Sequence, residues 1–171
     1  VSVFTPTWLV SAIYTLTPER LAQHGIKAIL TDLDNTLIAW NNPDGTPALK
    51  RWLHTMQAAG ITVMVVSNNK HERIARALAT LDLPFVARAL KPLPVGIDRA
   101  VRQLGLNKSD VVMIGDQLLT DIAAAHTAGV RSILVRPLIE SDAWNTRINR
   151  FFEGFVLRAM KPLHYQEDLN D

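Results

Sequence analysis

The chain divides into short apolar runs separated by longer stretches of mixed character. Ala28, Ile29 and Leu30 form the first run, and residues 61–66 form a second that is rich in β-branched side chains. A weaker run surrounds 85–87, and two more occupy 111–114 and 132–135. Runs this short and unbroken predict strands buried on both faces, since a strand with a wet side would alternate. Between them, Thr17-Pro18 and Thr46-Pro47 each pair a capping hydroxyl with a proline suited to a first helical turn, and Gly25 and Gly60 stand where those helices should stop. Further helices are expected over about 70–81, 95–104 and 118–128, with Gly105 and Gly129 closing the last two. Pro92 and Pro94 confine the chain before the second of these, and residues 41–46, NNPDGT, read as a turn-rich linker.

Strands alternating with helices predict an α/β fold whose central parallel sheet is covered on both faces. Residues 4–16 are apolar and aromatic without a clean period. They read first as a packing arm, with an interfacial segment or a partner contact as alternatives. The expected organisation is a single domain: an arm over 1–25, a core over about 26–135 and a C-terminal segment over 136–171. No internal repeat is visible.

Composition narrows the picture. A chain of 171 residues can bury a core without disulfides, and this one has no Cys, which suits a reducing compartment. Its 18 basic and 16 acidic side chains nearly cancel, so nucleic acid is not expected as a partner despite a pI of about 9.2. The sequence has no signal-peptide layout and no run long enough to span a bilayer, from which a soluble, cytoplasmic protein is expected. In the C-terminal segment, Trp144, Ile148, Phe151, Phe152 and Phe155 follow helical spacing, with Arg147, Arg150, Arg158 and Lys161 alongside. The first reading is a helix packed on the sheet; the second is a helix lying peripherally on a membrane surface.

The chemistry gathers where apolar runs end. The first run leads into Asp32, Leu33, Asp34, Asn35 and Thr36. Carboxylates at i and i+2 share a face while a strand lasts, and they repel unless a cation intervenes. An all-oxygen pair favours a hard divalent ion, Mg²⁺ before Zn²⁺. Ser67 ends the next run, Lys91 lies just past the weak one, Gly115-Asp116 ends the fourth, and Asp121 follows in the next helix. In parallel sheets, ligands bind outside the carboxyl ends of strands where the strand order reverses. An acidic pair alone also occurs in glycosyltransferases and receiver domains. The ordered set discriminates.

That set, Asp32-x-Asp34-x-Thr36, then Ser67, Lys91 and Gly115-Asp116 with Asp121, resembles the motif series of the haloacid dehalogenase (HAD) superfamily of phosphatases. The form DLDNTL is similar to its IIIA branch. With the apolar arm, it resembles the capless YqeG family and the related mitochondrial phosphatidylglycerophosphate phosphatases. The likeness covers about 26–135 and implies a three-layer Rossmann-like fold, a Mg²⁺ cofactor and hydrolysis of a phosphomonoester. It implies Asp32 as a nucleophile that forms an aspartyl-phosphate. Asp34 would be the acid and then the base, expected to hold a proton near neutral pH, and would give its backbone carbonyl to the metal. Asp116 and Asp121 would complete the metal site; the spacing in GDQLLTD leaves open which of them binds directly. Ser67, Lys91, Thr36 and Asn68 would surround the phosphate, Thr36 would also fasten the loop and orient Asp34, and Asn35 would tolerate a tight turn. His54, His71 and His126 fall within expected helices and read as helix residues rather than ligands.

The intervals 36–67 and 67–91 are filled by the elements already counted, so no large cap domain is expected and the site should be open. The resemblance puts a lipid phosphate, phosphatidylglycerophosphate, first among substrates. A soluble nucleotide or sugar phosphate would use the same chemistry. A reading of another class is a regulatory or assembly module that binds a protein or ribonucleoprotein partner.

Overall fold

The computed structural model describes residues 3–39, 45–138 and 165–170. Six strands, β1 (Trp8–Val10), β2 (Ala28–Thr31), β3 (Thr62–Val66), β4 (Phe85–Val86), β5 (Val111–Gly115) and β6 (Arg131–Val135), form one sheet in the order β1-β6-β5-β2-β3-β4. Every pairing is parallel. The connections carry α1 (Pro18–Gln23), α2 (Pro47–Ala58), α3 (His71–Ala77), α4 (Val95–Leu104) and α5 (Ala123–Ala128). Thr17 and Thr46 cap α1 and α2 as their sequence suggests, each hydroxyl accepting a backbone N–H three residues on.

The unbroken apolar runs have a direct cause in the layers. Ile29, Val63, Val65, Val112 and Ile114 join one buried cluster with Leu49, Trp52 and Met56 of α2. Leu30, Met64, Val66 and Met113 face the other way, onto Ile97 and Val101 of α4 and the alanines of α5. Alternate residues therefore enter different cores, and neither face is wet.

Three elements depart from the sequence reading. The arm contains a sheet strand: Trp8 pairs with Ile133 and Val10 with Val135. Its missing period follows from double burial, because Trp8 and Val10 enter the large cluster while Leu9 packs behind, against Leu118, Ile122 and Leu134. The helix expected to reach 81 stops at Ala77, and residues 78–82 tighten into a turn in which the Leu78 carbonyl accepts from both Leu81 and Asp82. The helix expected from 118 opens as a wide π turn over Leu118–Ile122 before α5 begins.

Beyond β1 the chain returns: Gln166 exchanges backbone hydrogen bonds with Leu9 and Ser11, and Leu169 is buried in the core. The helix expected within 144–161 and the linker residues 41–44 lie outside the described residues. Among the described residues, the intervals from β2 to β3 and from β3 to Lys91 hold only α2, α3 and β4, and no second domain covers the carboxyl ends of the strands.

Candidate active site

Strand β2 runs between β3 and β5, where the strand order reverses, so its end is the natural ligand position of this sheet. Thr31 stands level with Val65 and Ile114, and the Asp32 N–H donates to the Ile114 carbonyl at 3.0 Å. That register brings Asp32, Ser67 and Asp116 together at three adjacent strand ends. Oxygens of Asp32, Asp116 and Asp121 lie within 4.8 Å of one another.

Lys91 reaches into this acidic group. Its Nζ stands 2.6 Å from Asp121 Oδ1 and 3.2 Å from Asp32 Oδ1. Burial alone would lower the lysine pKa, but the charges of Asp121 and Asp32 outweigh it and hold the ammonium above the usual lysine range. Burial likewise pushes the Asp121 carboxyl up, to about 6, with Lys91 opposing. The π turn presents Asp121 from behind: the Gln117 carbonyl accepts from both Asp121 and Ile122, and the Gln117 N–H donates to Asp121 Oδ2 at 3.3 Å. Gly115 makes room, since a Cβ there would fall 2.1 Å from Asp121 Oδ2.

The loop after β2 is fixed from both sides. Asn35 adopts φ 60°, the left-handed turn its side chain tolerates, and its carbonyl accepts from the Leu138 N–H at 2.8 Å. Buried Thr36 donates to Asp116 Oδ1 at 3.3 Å. Its hydroxyl thus joins the loop to β5, where the sequence suggested a phosphate ligand and an orienter of Asp34. From the N-terminal arm, Tyr14 donates to the Leu37 carbonyl at 2.6 Å, and burial pushes its phenol up to about 12.

Around the phosphate position, the side chains divide the work differently from expectation. The Asn68 amide is engaged with Lys91, accepting from its N–H at 2.8 Å and donating to its carbonyl at 3.0 Å. It clamps the lysine loop, so the amide expected to meet phosphate is already paired. Buried Ser67 accepts from the Asn69 N–H at 3.2 Å and from Asn69 Nδ2 at 3.1 Å. Both lone pairs are taken, which leaves the hydroxyl a proton to give, as an anionic acceptor requires. Asn69 Nδ2 also donates to Asp34 at 3.1 Å.

Asp34 meets a residue that sequence reasoning missed. Arg73 of α3 forks it, Nη1 to Oδ2 at 2.9 Å and Nη2 to Oδ1 at 3.1 Å. Donating to the Asp34 carboxylate holds the guanidinium above the usual arginine range. With both oxygens accepting, this arrangement suits a carboxylate rather than a proton-carrying acid. The fork must open before Asp34 can donate. A signal was available, because Arg73 stands in the first turn of its helix, where the macrodipole disfavours a cation unless something else holds it.

The donor set fits a hard divalent cation: three converging carboxylates face a single buried ammonium, and every candidate ligand atom is oxygen. Asp121 has one oxygen on Lys91 and the other on Gln117 N–H, so Asp32 and Asp116 are better disposed for direct contact. A cleft of about 590 Å³, lined by His54, Gln57, Ile61, Leu81 and Pro84, lies by the amino end of β3, away from this chemistry.

An all-parallel three-layer sheet with these residues at its strand ends defines the class, and residues 88–149 match the family model of HAD-hydrolase-like proteins. The chain belongs to the haloacid dehalogenase superfamily of phosphatases. It is 44% identical over 158 residues to the probable phosphatase YqeG of Bacillus subtilis (strain 168), with 92% of each chain covered. It is 25% identical over 154 residues to the chloroplastic/mitochondrial phosphatidylglycerophosphate phosphatase 1 of Arabidopsis thaliana, covering 85% of this chain and 41% of that protein. The cobalt-bound deoxy-D-mannose-octulosonate 8-phosphate phosphatase of Haemophilus influenzae shares the fold, with a TM-score of 0.53 at 18% identity over 82% of this chain and 91% of its own.

Proposed function

We propose that this phosphatase acts as a single capless domain, hydrolysing a phosphomonoester through an aspartyl-phosphate on Asp32, and that its substrate is a lipid phosphate such as phosphatidylglycerophosphate. The observation that carries the reading is the meeting of Asp32 with a buried ammonium and a serine that has only its proton to give. Asp32 attacks phosphorus in line while Lys91 and Ser67 hold the phosphoryl oxygens, so the charge of the transferring group meets fixed donors. Once the Arg73 fork opens, Asp34 takes up a proton from solvent, gives it to the leaving oxygen as the P–O bond breaks, and then takes a proton from the attacking water. Asp32, Asp116 and the Asp34 carbonyl would hold Mg²⁺, with Asp121 behind them; when bound, the ion supplies the positive charge that lets an anionic substrate approach Asp32.

The lipid part of the reading draws support from the plant relative, named for phosphatidylglycerophosphate, and from a site with no second domain over it among the described residues. A shallow site gives a small ester few contacts, whereas binding energy from remote parts of a large substrate positions the reacting group. The test is phosphate release from phosphatidylglycerophosphate in mixed micelles, glycerol phosphate, nucleoside monophosphates and an aryl phosphate, each with Mg²⁺ and after chelation. The lipid should give the highest kcat/KM, and chelation should stop every reaction. Equal efficiency on soluble esters would defeat the lipid assignment alone, and turnover that survives chelation would defeat the metal's role.

A further inference from the structure

The loop that delivers Lys91 has an outer side the chemistry does not use. Residues 90–95 read Leu-Lys-Pro-Leu-Pro-Val, and their only charged member turns inward to the acidic group. The others face outward: Leu90 is 58% exposed, Leu93 57% and Val95 36%, with exposed Pro92 between them. A single exposed leucine means little. Here, three of the four exposed large hydrophobic side chains among the described residues fall within six positions, at the rim of the active site.

Folding alone does not account for this ridge. Leu90 has φ 57° and Arg88 φ 49°, both in the left-handed region where a bulky side chain is costly and glycine or asparagine would not be. The ridge is also held firmly from beneath. Asn68 brackets Lys91, and the Ala89 N–H donates to the Ser67 carbonyl at 3.0 Å. Gly96 lets α4 press against Ala89 so closely that a Cβ there would fall 2.4 Å from the Ala89 Cβ. A rigid apolar wedge is thus presented outward at a backbone cost.

Its neighbours are basic. The Arg88 N–H donates to the Asn69 carbonyl at 2.9 Å, which sets exposed Arg88 beside exposed Lys70 at the start of α3. We infer that residues 90–95, flanked by Lys70 and Arg88, form a docking ridge that inserts into the surface of an anionic phospholipid bilayer and sets the open active site against it. Apolar side chains that enter the interface beside cations that stay at headgroup level are what such a surface recognises. This deepens the lipid reading above and rests on it.

The absence of Cys from the chain gives a direct probe. Leu93→Cys, labelled with a polarity-sensitive dye, is mixed with phosphatidylcholine vesicles with and without phosphatidylglycerol. Gln57→Cys, on exposed α2 at the opposite end of the sheet, is labelled the same way as a reference. Emission at 93 should shift to the blue with anionic vesicles and recover in high salt, while emission at 57 stays put. Flotation of unlabelled Leu90→Ser/Leu93→Ser with the same vesicles should fall by about tenfold relative to the unsubstituted chain. Aryl phosphate turnover with Mg²⁺ is followed in each sample, so failure of the phosphatase reading shows separately from failure of docking. No shift at 93, equal shifts at both positions, or undiminished flotation of the serine variant would overturn the bilayer assignment; no shift with intact turnover would point to a protein partner on the ridge.

Discussion

Two cation–carboxylate pairs stand in one site and differ in almost every physical respect. Lys91 and Asp121 are 2% and 0% exposed, while Arg73 and Asp34 are 52% and 41% exposed. The first pair has left water behind, so neither partner tolerates loss of the other. The second keeps solvent at hand and gains little from its contact, about 0–1 kcal/mol for exposed pairs of this kind. Geometry runs the other way, since the arginine fork makes two hydrogen bonds to its carboxylate. The buried pair is therefore a fixed part of the electrostatic frame, and the exposed pair is a latch that can open at small cost.

The sharpest break is at Asp32, which touches the buried pair through Lys91. Asp32→Asn keeps the shape but removes the proposed nucleophile and one metal charge. Phosphate release should fall below about a hundredth of the unsubstituted rate, because loss of a covalent step costs several kcal/mol. Retention above that level would exclude Asp32 as nucleophile. Next comes the buried pair itself. Lys91→Met strands the Asp121 carboxylate in the core and should cost about 3–5 kcal/mol in denaturant unfolding, whereas Lys91→Met/Asp121→Leu should recover much of it. If the double variant unfolds as readily as the single one, the frame depends on something other than this pair.

The contrast between the pairs also marks what the sequence could reveal. Asp32, Ser67, Lys91 and Asp116 were legible because each follows an apolar run, and doubly buried strands write such runs without interruption. Lys91 was visible through its place just past the weak run, although nothing in its neighbours indicated that its ammonium would be wholly enclosed. Arg73 and Asn69 were not legible from periodicity, since a polar residue near a helix start ordinarily reads as solvated. The strand at Trp8–Val10 was hidden for a different reason: three residues are too few to show a period, and its pairing with β6 spans more than a hundred residues of chain. Thr36 and Asn68 were found, but as phosphate ligands. Their contacts are internal, with Asp116 and with the Lys91 backbone. Spacing along a motif indicates which residues meet, but not which of them face the ligand.

The latch predicts a smaller effect with a distinct signature. Arg73→Gln should shift unfolding by less than about 1 kcal/mol, as expected for an exposed pair. If Arg73 positions Asp34, turnover of an alkyl phosphate, which needs its leaving oxygen protonated, should drop by about tenfold, with aryl phosphate much less affected. Arg73→Lys, which keeps the charge but loses the fork, should fall between. Equal losses on both esters would show that Arg73 acts on phosphate binding and not through Asp34.

The smallest effect tests the support beneath both pairs. Tyr14 reaches from the N-terminal arm to the Leu37 carbonyl, just past the loop that carries Asp32, Asp34 and Thr36. Tyr14→Phe preserves the ring and removes one hydrogen bond, so it should cost about 1 kcal/mol near neutral pH. The pH dependence has a definite sign. Burial raises the phenol from its usual 10 to about 12, so between those values the unfolded chain releases a proton that the folded chain retains. The tyrosine's contribution is complete below about pH 10 and is lost as pH rises through about 12. Urea unfolding of both proteins across that range should show the advantage of tyrosine shrinking as pH climbs. A constant gap would mean that the phenol ionises as freely in the folded protein as in the unfolded chain.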